Sequence, residues 1–147
     1  MGLFKRILVT TDFSDVADRG VKFAFELAAL HDADVVLCHV VELATRATPL
    51  YAHYAPVDQL THVEQERIHA RQRKQMEALV PEVHRARTEI ALVQGPVADE
   101  ILTLAEKKRA ELIVMATHGK TGLLERFLGG VAERVVRHAK CPVLITR

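Results

Sequence analysis

Cysteine is scarce in this chain. There are two, Cys38 and Cys141, which form neither a CxxC motif nor the disulfide framework of a secreted domain. An excess of one charge is missing as well. Twenty basic residues stand against 19 acidic ones, for a net charge of +1. That balance gives no electrostatic footprint for nucleic acid or a polyanionic surface. Long apolar runs are absent. The most apolar helical stretch, Val21 to Leu30, carries Lys22 and Glu26 and is too short to span a bilayer. No membrane and no nucleic-acid partner is therefore expected. Met1 to Arg6 runs straight into an expected strand at Ile7, leaving no room for a signal peptide. Arg6 stands where a lipidation motif beginning at Gly2 needs Ser or Thr. A cytoplasmic protein is the expectation. The sequence has no HExxH, no GxxxxGK[ST], no GxGxxG and no GxSxG. The eight histidines show no clustered ligand spacing, so no structural zinc is expected.

What the chain does have is a core. Apolar residues make up 49% of 147 residues, enough for one domain spanning residues 1–147. Five short apolar or β-branched runs read as strands: Ile7 to Thr10, Val35 to Val40, Glu89 to Val93, Leu112 to Ala116 and Val143 to Ile145. Helical spacing fills the gaps between them. Val16, Gly20, Phe23, Ala24, Leu27 and Leu30 make one expected apolar face, with Ser14 as its N-cap and an end near His31. Asp58 to His84 reads as a long, mostly polar helix whose second half presents Met76, Leu79, Val80 and Val83, with Pro81 as a kink or early end. Ala98, Ile101, Leu102 and Ala105 face a third helix, begun after Gly95 and Pro96. Val131 to Ala139 is the fourth. Strands alternating with helices predict parallel pairing with right-handed crossovers.

The candidate site lies after the fourth strand. His118 to Gly122 is a glycine-containing turn, and the doublet Gly129–Gly130 opens the last helix. Gly119 and Gly122 leave no side chain to block a ligand. The doublet can present backbone N–H groups at a helix start, a ready anion site. The competing reading is a tight turn that merely requires glycine. Asp12 follows the first strand, at the carboxyl edge of the sheet, where open α/β sheets bind ligands. It is a ribose or metal acceptor, or only a turn-capping carboxylate. His118 could reach a ligand, with positioning favoured over proton transfer because no carboxylate is paired with it. His39 reads as a strand-end histidine making a structural hydrogen bond. Cys38 reads as inert core, and Cys141 has no catalytic context. The stretch Thr45 to Val57 is long enough to be a lid or binding loop, or an ordinary surface excursion.

Two blocks, ILVTTDFSD from Ile7 to Asp15 and the segment from Leu112 to Arg147, resemble the universal stress protein family, and the resemblance extends over essentially the whole chain. It implies an open five-stranded parallel sheet of order 3-2-1-4-5 with helices on both faces, the adenine nucleotide alpha hydrolase-like fold. Nucleotide-binding members share the pattern Gly, two residues, Gly, nine residues, Gly, then Ser or Thr. Here the four positions are Ala116, Gly119, Gly129 and Gly130, so the spacing is intact and two positions differ. The resemblance assigns Asp12 to the nucleoside side and Val40 to a backbone contact with the base. Weak binding of ATP or another adenine nucleotide, with or without Mg2+, is what it implies. The alternative is a nucleotide-free dimeric module acting through partners. With only Asp12 and His118 as catalytic candidates, turnover is at most that of a slow ATPase. The region Asp12 to Asp18 lacks the histidines that nucleotidyl transferases of related folds place there. Val143, Leu144 and Ile145 form an apolar edge strand, and both that edge and the resemblance point to a homodimer through it.

Overall fold

The computed structural model describes residues 2–42, 61–117 and 129–147. Chain order runs β1 (Arg6–Thr10), α1 (Asp15–His31), β2 (Asp34–Val41), α2 (His62–Leu79), a 3-10 helix (Glu82–Arg87), β3 (Thr88–Gln94), α3 (Val97–Lys107), β4 (Leu112–Ala116), α4 (Gly130–His138) and β5 (Val143–Thr146). All four strand pairings are parallel, and the sheet order is β3-β2-β1-β4-β5. Strand order reverses beside β1, between β2 and β4.

The middles of the central strands, Ile7–Val9, Val35–Cys38 and Leu112–Ala116, are apolar at every position because both faces are covered. On one face Ile7, Val9, Leu37 and Val114 pack with Val21, Phe25 and Met76 from α1 and α2. On the other, Leu8, Val36, Ile113 and Met115 pack with Ile101, Leu104 and Val135 from α3 and α4. Each large aliphatic side chain so buried stabilises the fold by about 1.5–3 kcal/mol. Ser14 Oγ accepts the Ala17 N–H at 3.2 Å and caps α1, as its sequence predicts. After β3 the chain turns at Gly95, whose φ of +148° is open to glycine and strained for other residues.

The helix faces needed correction at two places. On α1 the buried positions are Ala17, Gly20, Val21, Ala24, Phe25 and Ala28, whereas Phe23 and Leu30 are exposed. That helix is apolar around most of its circumference, so spacing alone did not select the inward stripe. The long second helix ends at Leu79, short of His84, and of the two expectations for Pro81 the early end is the one observed. Pro81 cannot donate into a continuing helix, the chain re-forms as the 3-10 turn Glu82–Arg87, and Val83 is left 86% exposed. Residues 58–60 of that expected helix, and Thr45 to Val57 entirely, lie outside the described residues.

Candidate functional site

A cleft of about 520 Å3 opens where the strand order reverses, lined by the ends of β1, β2 and β4 and the start of α4. Its floor follows from how β1 stops. Thr11 still donates its N–H to the Cys38 carbonyl at 2.9 Å. Beyond it, the side chains of the turn take over the backbone. Thr11 Oγ1 accepts the Phe13 N–H at 3.0 Å, and Asp12 Oδ1 accepts the Ser14 N–H at 2.9 Å. Phe13 is held at φ +64°, a left-handed conformation that this local bonding stabilises. Asp12 is thus a turn-capping carboxylate, and it also lines the cleft.

β2 continues past this point. Its alternate backbone groups face opposite neighbours. The Cys38 carbonyl faces β1, and the Val41 carbonyl faces the β3 side, where it accepts the Gly95 N–H at 3.1 Å. Val40 therefore directs its N–H and C=O toward β1, past the end of that strand's ladder. The Val40 side chain is buried on the α3/α4 face. His39, pointing to the opposite face, sets Nδ1 2.7 Å from the Thr11 carbonyl. Its ring lies against Phe13 with centroids 4.5 Å apart. Its Nε2 lies 3.3 Å from the Gln72 side-chain nitrogen. The structural hydrogen bond expected of His39 is present. Gln72, on α2, was not legible as a member of the cleft, since nothing in its polar surroundings marks it out.

At the other wall, Ala116 ends β4. By alternation with Leu112 and Val114, its methyl lies on the α1/α2 side of the sheet. Thr117 donates its N–H to Thr146 and accepts the Gly129 N–H on its carbonyl, both at 3.0 Å. This second bond corrects the sequence reading. Of the glycine doublet, Gly129 is the N-cap and its N–H is already engaged. Gly130 is the first helical residue, and α4 has no side-chain cap. The amides left at the α4 terminus belong to Gly130, Val131 and Ala132, all on the cleft wall. A Cβ added at Gly130 would meet nothing within 4 Å among the described residues. His118, Gly119 and Gly122, the remaining candidate residues, lie outside the described residues.

The thiols are not activated. Burial pushes Cys38 up to about 12, with the Glu100 carboxylate adding to the effect. Burial also raises Cys141 above the usual thiol value. Among the described residues no group of three or more His, Cys, Asp or Glu side chains could hold a metal ion. None of the described helices is long and apolar enough to cross a membrane. A second recess, of about 620 Å3, sits at the opposite, amino-terminal edge of the sheet. Its charges are largely paired: Arg87 with Asp32 and Asp34, and Lys108 with Glu89. It is a surface ion-pair network remote from the strand reversal.

Comparison with known proteins agrees with this fold. The sequence model of the universal stress protein family matches residues 3–147. The universal stress protein MJ0531 of Methanocaldococcus jannaschii is 38% identical over 146 residues, covering 99% of this chain and 83% of that protein. The solved structure of MJ0577, a universal stress protein of the same organism, superimposes with a TM-score of 0.78 at 27% identity, covering 98% of this chain and 96% of the other. A universal stress protein solved in complex with cAMP superimposes with a TM-score of 0.64 at 26% identity, covering 98% and 97%.

Proposed function

The chain belongs to the universal stress protein family, and from that premise we propose that it binds ATP or another adenine nucleotide, weakly, in the crevice between β1 and β4. The observation that carries this reading is a pair of backbone surfaces on opposite walls of one cleft, for which no hydrogen-bond partner is found among the described residues. On one wall are the Val40 N–H and C=O, on the other the uncapped terminus of α4 at Gly130. A donor and an acceptor side by side match the edge of adenine that carries its ring nitrogen and amino group. A helix N-terminus suits phosphate through its amides and its dipole. Asp12 between them takes ribose hydroxyls through the carboxylate oxygen that Ser14 does not use. The family pattern adds Gly119 to the phosphate side by resemblance alone, and His118 and Gly122 remain candidates by sequence. The relative in complex with cAMP shares the chemistry of an adenine base joined to a phosphate.

Weakness follows from Gly130. Nucleotide-binding members carry Ser or Thr there, and glycine offers an amide without a hydroxyl. A homodimer through β5 belongs to the same proposal. All four β5 residues are only partly buried, and the strand is paired on one side alone. Mass spectrometry of ligand released from freshly purified, denatured protein tests the reading, followed by calorimetric titration with ATP, with and without Mg2+. Released adenine nucleotide, or millimolar-or-tighter ATP binding that Asp12→Ala removes, is the expected result. No released nucleotide and no binding would put the nucleotide-free partner module in its place.

A further inference from the structure

The ladder between β1 and β2 stops one rung early, at the point where His39 takes the Thr11 carbonyl. In a parallel pair, a residue that donates to one partner accepts from the residue two further along. Thr11 donates to the Cys38 carbonyl, so the next rung would run from the Val40 N–H to the Thr11 carbonyl. That rung is not formed: strand pairing ends at Thr10 with Cys38, and the Thr11 carbonyl instead lies 2.7 Å from His39 Nδ1. The rung after that would take the Phe13 N–H to the Val40 carbonyl. It is also diverted, to Thr11 Oγ1.

The ring's protonation follows from its partners. A carbonyl only accepts, so the hydrogen bond to Thr11 requires the proton on Nδ1. Nε2 is then an acceptor, and the Gln72 amide donates to it at 3.3 Å. The amide so oriented leaves Gln72 Oε1 buried without a partner. With the amide nitrogen toward Nε2, Gln72 favours the neutral ring protonated at Nδ1.

We infer that His39 is a positioning residue for base recognition: its Nδ1–H occupies the Thr11 carbonyl, keeps the Val40 N–H out of the sheet and leaves that amide for the adenine ring. The inference rests on the nucleotide reading above, because it explains how the base-reading amide is kept available. Removing the donor lets the chain close its ladder. Val40 N–H then bonds to Thr11, an intramolecular competitor for the ligand.

The test separates this from a general structural role. His39→Asn places an amide N–H near the position of Nδ1, whereas His39→Leu has no donor. ATP affinity should fall at least tenfold in His39→Leu and be largely retained in His39→Asn. Amide hydrogen exchange at Val40, in protein without nucleotide, should slow at least tenfold in His39→Leu and not in His39→Asn. Should His39→Leu fail to fold, the wild type still decides. Long-range 1H–15N correlation of His39 should show the Nδ1–H tautomer, with Val40 exchanging faster than Cys38. An Nε2–H tautomer, a Val40 amide as protected as its strand neighbours, or equal ATP affinity and Val40 exchange in wild type and folded His39→Leu would overturn the inference. Failure of the nucleotide reading looks different. Wild type would bind no adenine nucleotide, while the tautomer and the Val40 exchange would still report on His39.

Discussion

Gly130→Ser should tighten ATP binding without disturbing the fold. Among the described residues the site has room, since a Cβ at this position meets none of them within 4 Å. Gly130 begins α4, where serine in place of glycine favours the helix by a few tenths of a kcal/mol. The added hydroxyl lies beside the uncapped amides and donates to a phosphate oxygen. A hydrogen bond to a charged group is worth about 1.5–3 kcal/mol, and in a cleft open to water the lower end applies, roughly a tenfold smaller dissociation constant. The other departure from the binding pattern, Ala116, should matter less. Its methyl lies on the α1/α2 face, and Ala132 and Val135 of α4 pack on the other. Calorimetric titration with ATP measures the gain, and titration with adenosine is the control, because the hydroxyl is placed to read phosphate and not the base. Unchanged ATP affinity in a folded Gly130→Ser protein would refute the reasoning. So would equal tightening of ATP and adenosine, which would put the effect outside the phosphate contact.

Cys38 should make the protein alkali-sensitive. Its folded thiol is pushed up to about 12, so above the ordinary thiol value the unfolded chain loses a proton that the folded chain keeps. Stability contributed by the neutral thiol is complete at lower pH and falls by up to about 1.4 kcal/mol per pH unit as pH rises from about 9 toward 12. Urea unfolding across that range should show the slope, and Cys38→Ala should flatten it. At α1, a Cβ on Gly20 would lie 2.7 Å from Thr146 Oγ1, and that hydroxyl is itself buried without a partner. Gly20→Ala should therefore set an overpacking cost of about 1–3 kcal/mol against a helix gain of about 1 kcal/mol, and in a Thr146→Ala background it should become stabilising, a sign change readable by a double-mutant cycle. Sedimentation should show a wild-type mass near twice 16.4 kDa and a folded Leu144→Asp protein near one chain; a monomeric wild type would remove the β5 dimer.

Much of the architecture was legible because it rests on simple patterns. Leu112 to Ala116 is continuously apolar, and only a strand covered on both faces reads so. Ser14 before Asp15 and Asp18 marks a helix start through its own capping chemistry. The order of the strands was not in the pattern; the resemblance supplied it, and the backbone pairing agrees. What failed were the features that need three dimensions. Phe23 and Phe25 are alike in sequence, yet only Phe25 faces the sheet. Gly129 and Gly130 are alike as well, yet only Gly129 gives its N–H to Thr117, a partner twelve residues back that no local rule identifies. Gln72 reaches His39 across 33 positions, and no spacing signals that meeting.

The cleft itself arises from unequal strand lengths. β1 pairs with β2 as far as Thr10 and Cys38, whereas β2 goes on beside β3 to Val41, three residues further. On the other side β1 pairs with β4 as far as Val9 and Val114, whereas β4 goes on beside β5 to Ala116, two residues further. Two strands therefore outrun the one between them and leave a notch with backbone walls. The cause of the short strand lies in TTDFSD, from Thr10 to Asp15. Thr11 and Asp12 turn their side-chain oxygens onto the amides of Phe13 and Ser14, and Ser14 caps the helix that follows. Each of these bonds satisfies an amide that continuing the strand would have given to a neighbour. Local polar side chains thus turn the chain away after Thr11, and with His39 on the Thr11 carbonyl the Val40 backbone faces the notch. Asp12 commits Oδ1 to the turn, and in the proposed nucleotide reading Oδ2 would be left for a ligand. Asp12→Asn keeps the Oδ1 acceptor and so keeps the notch, and Asp12→Ala loses both.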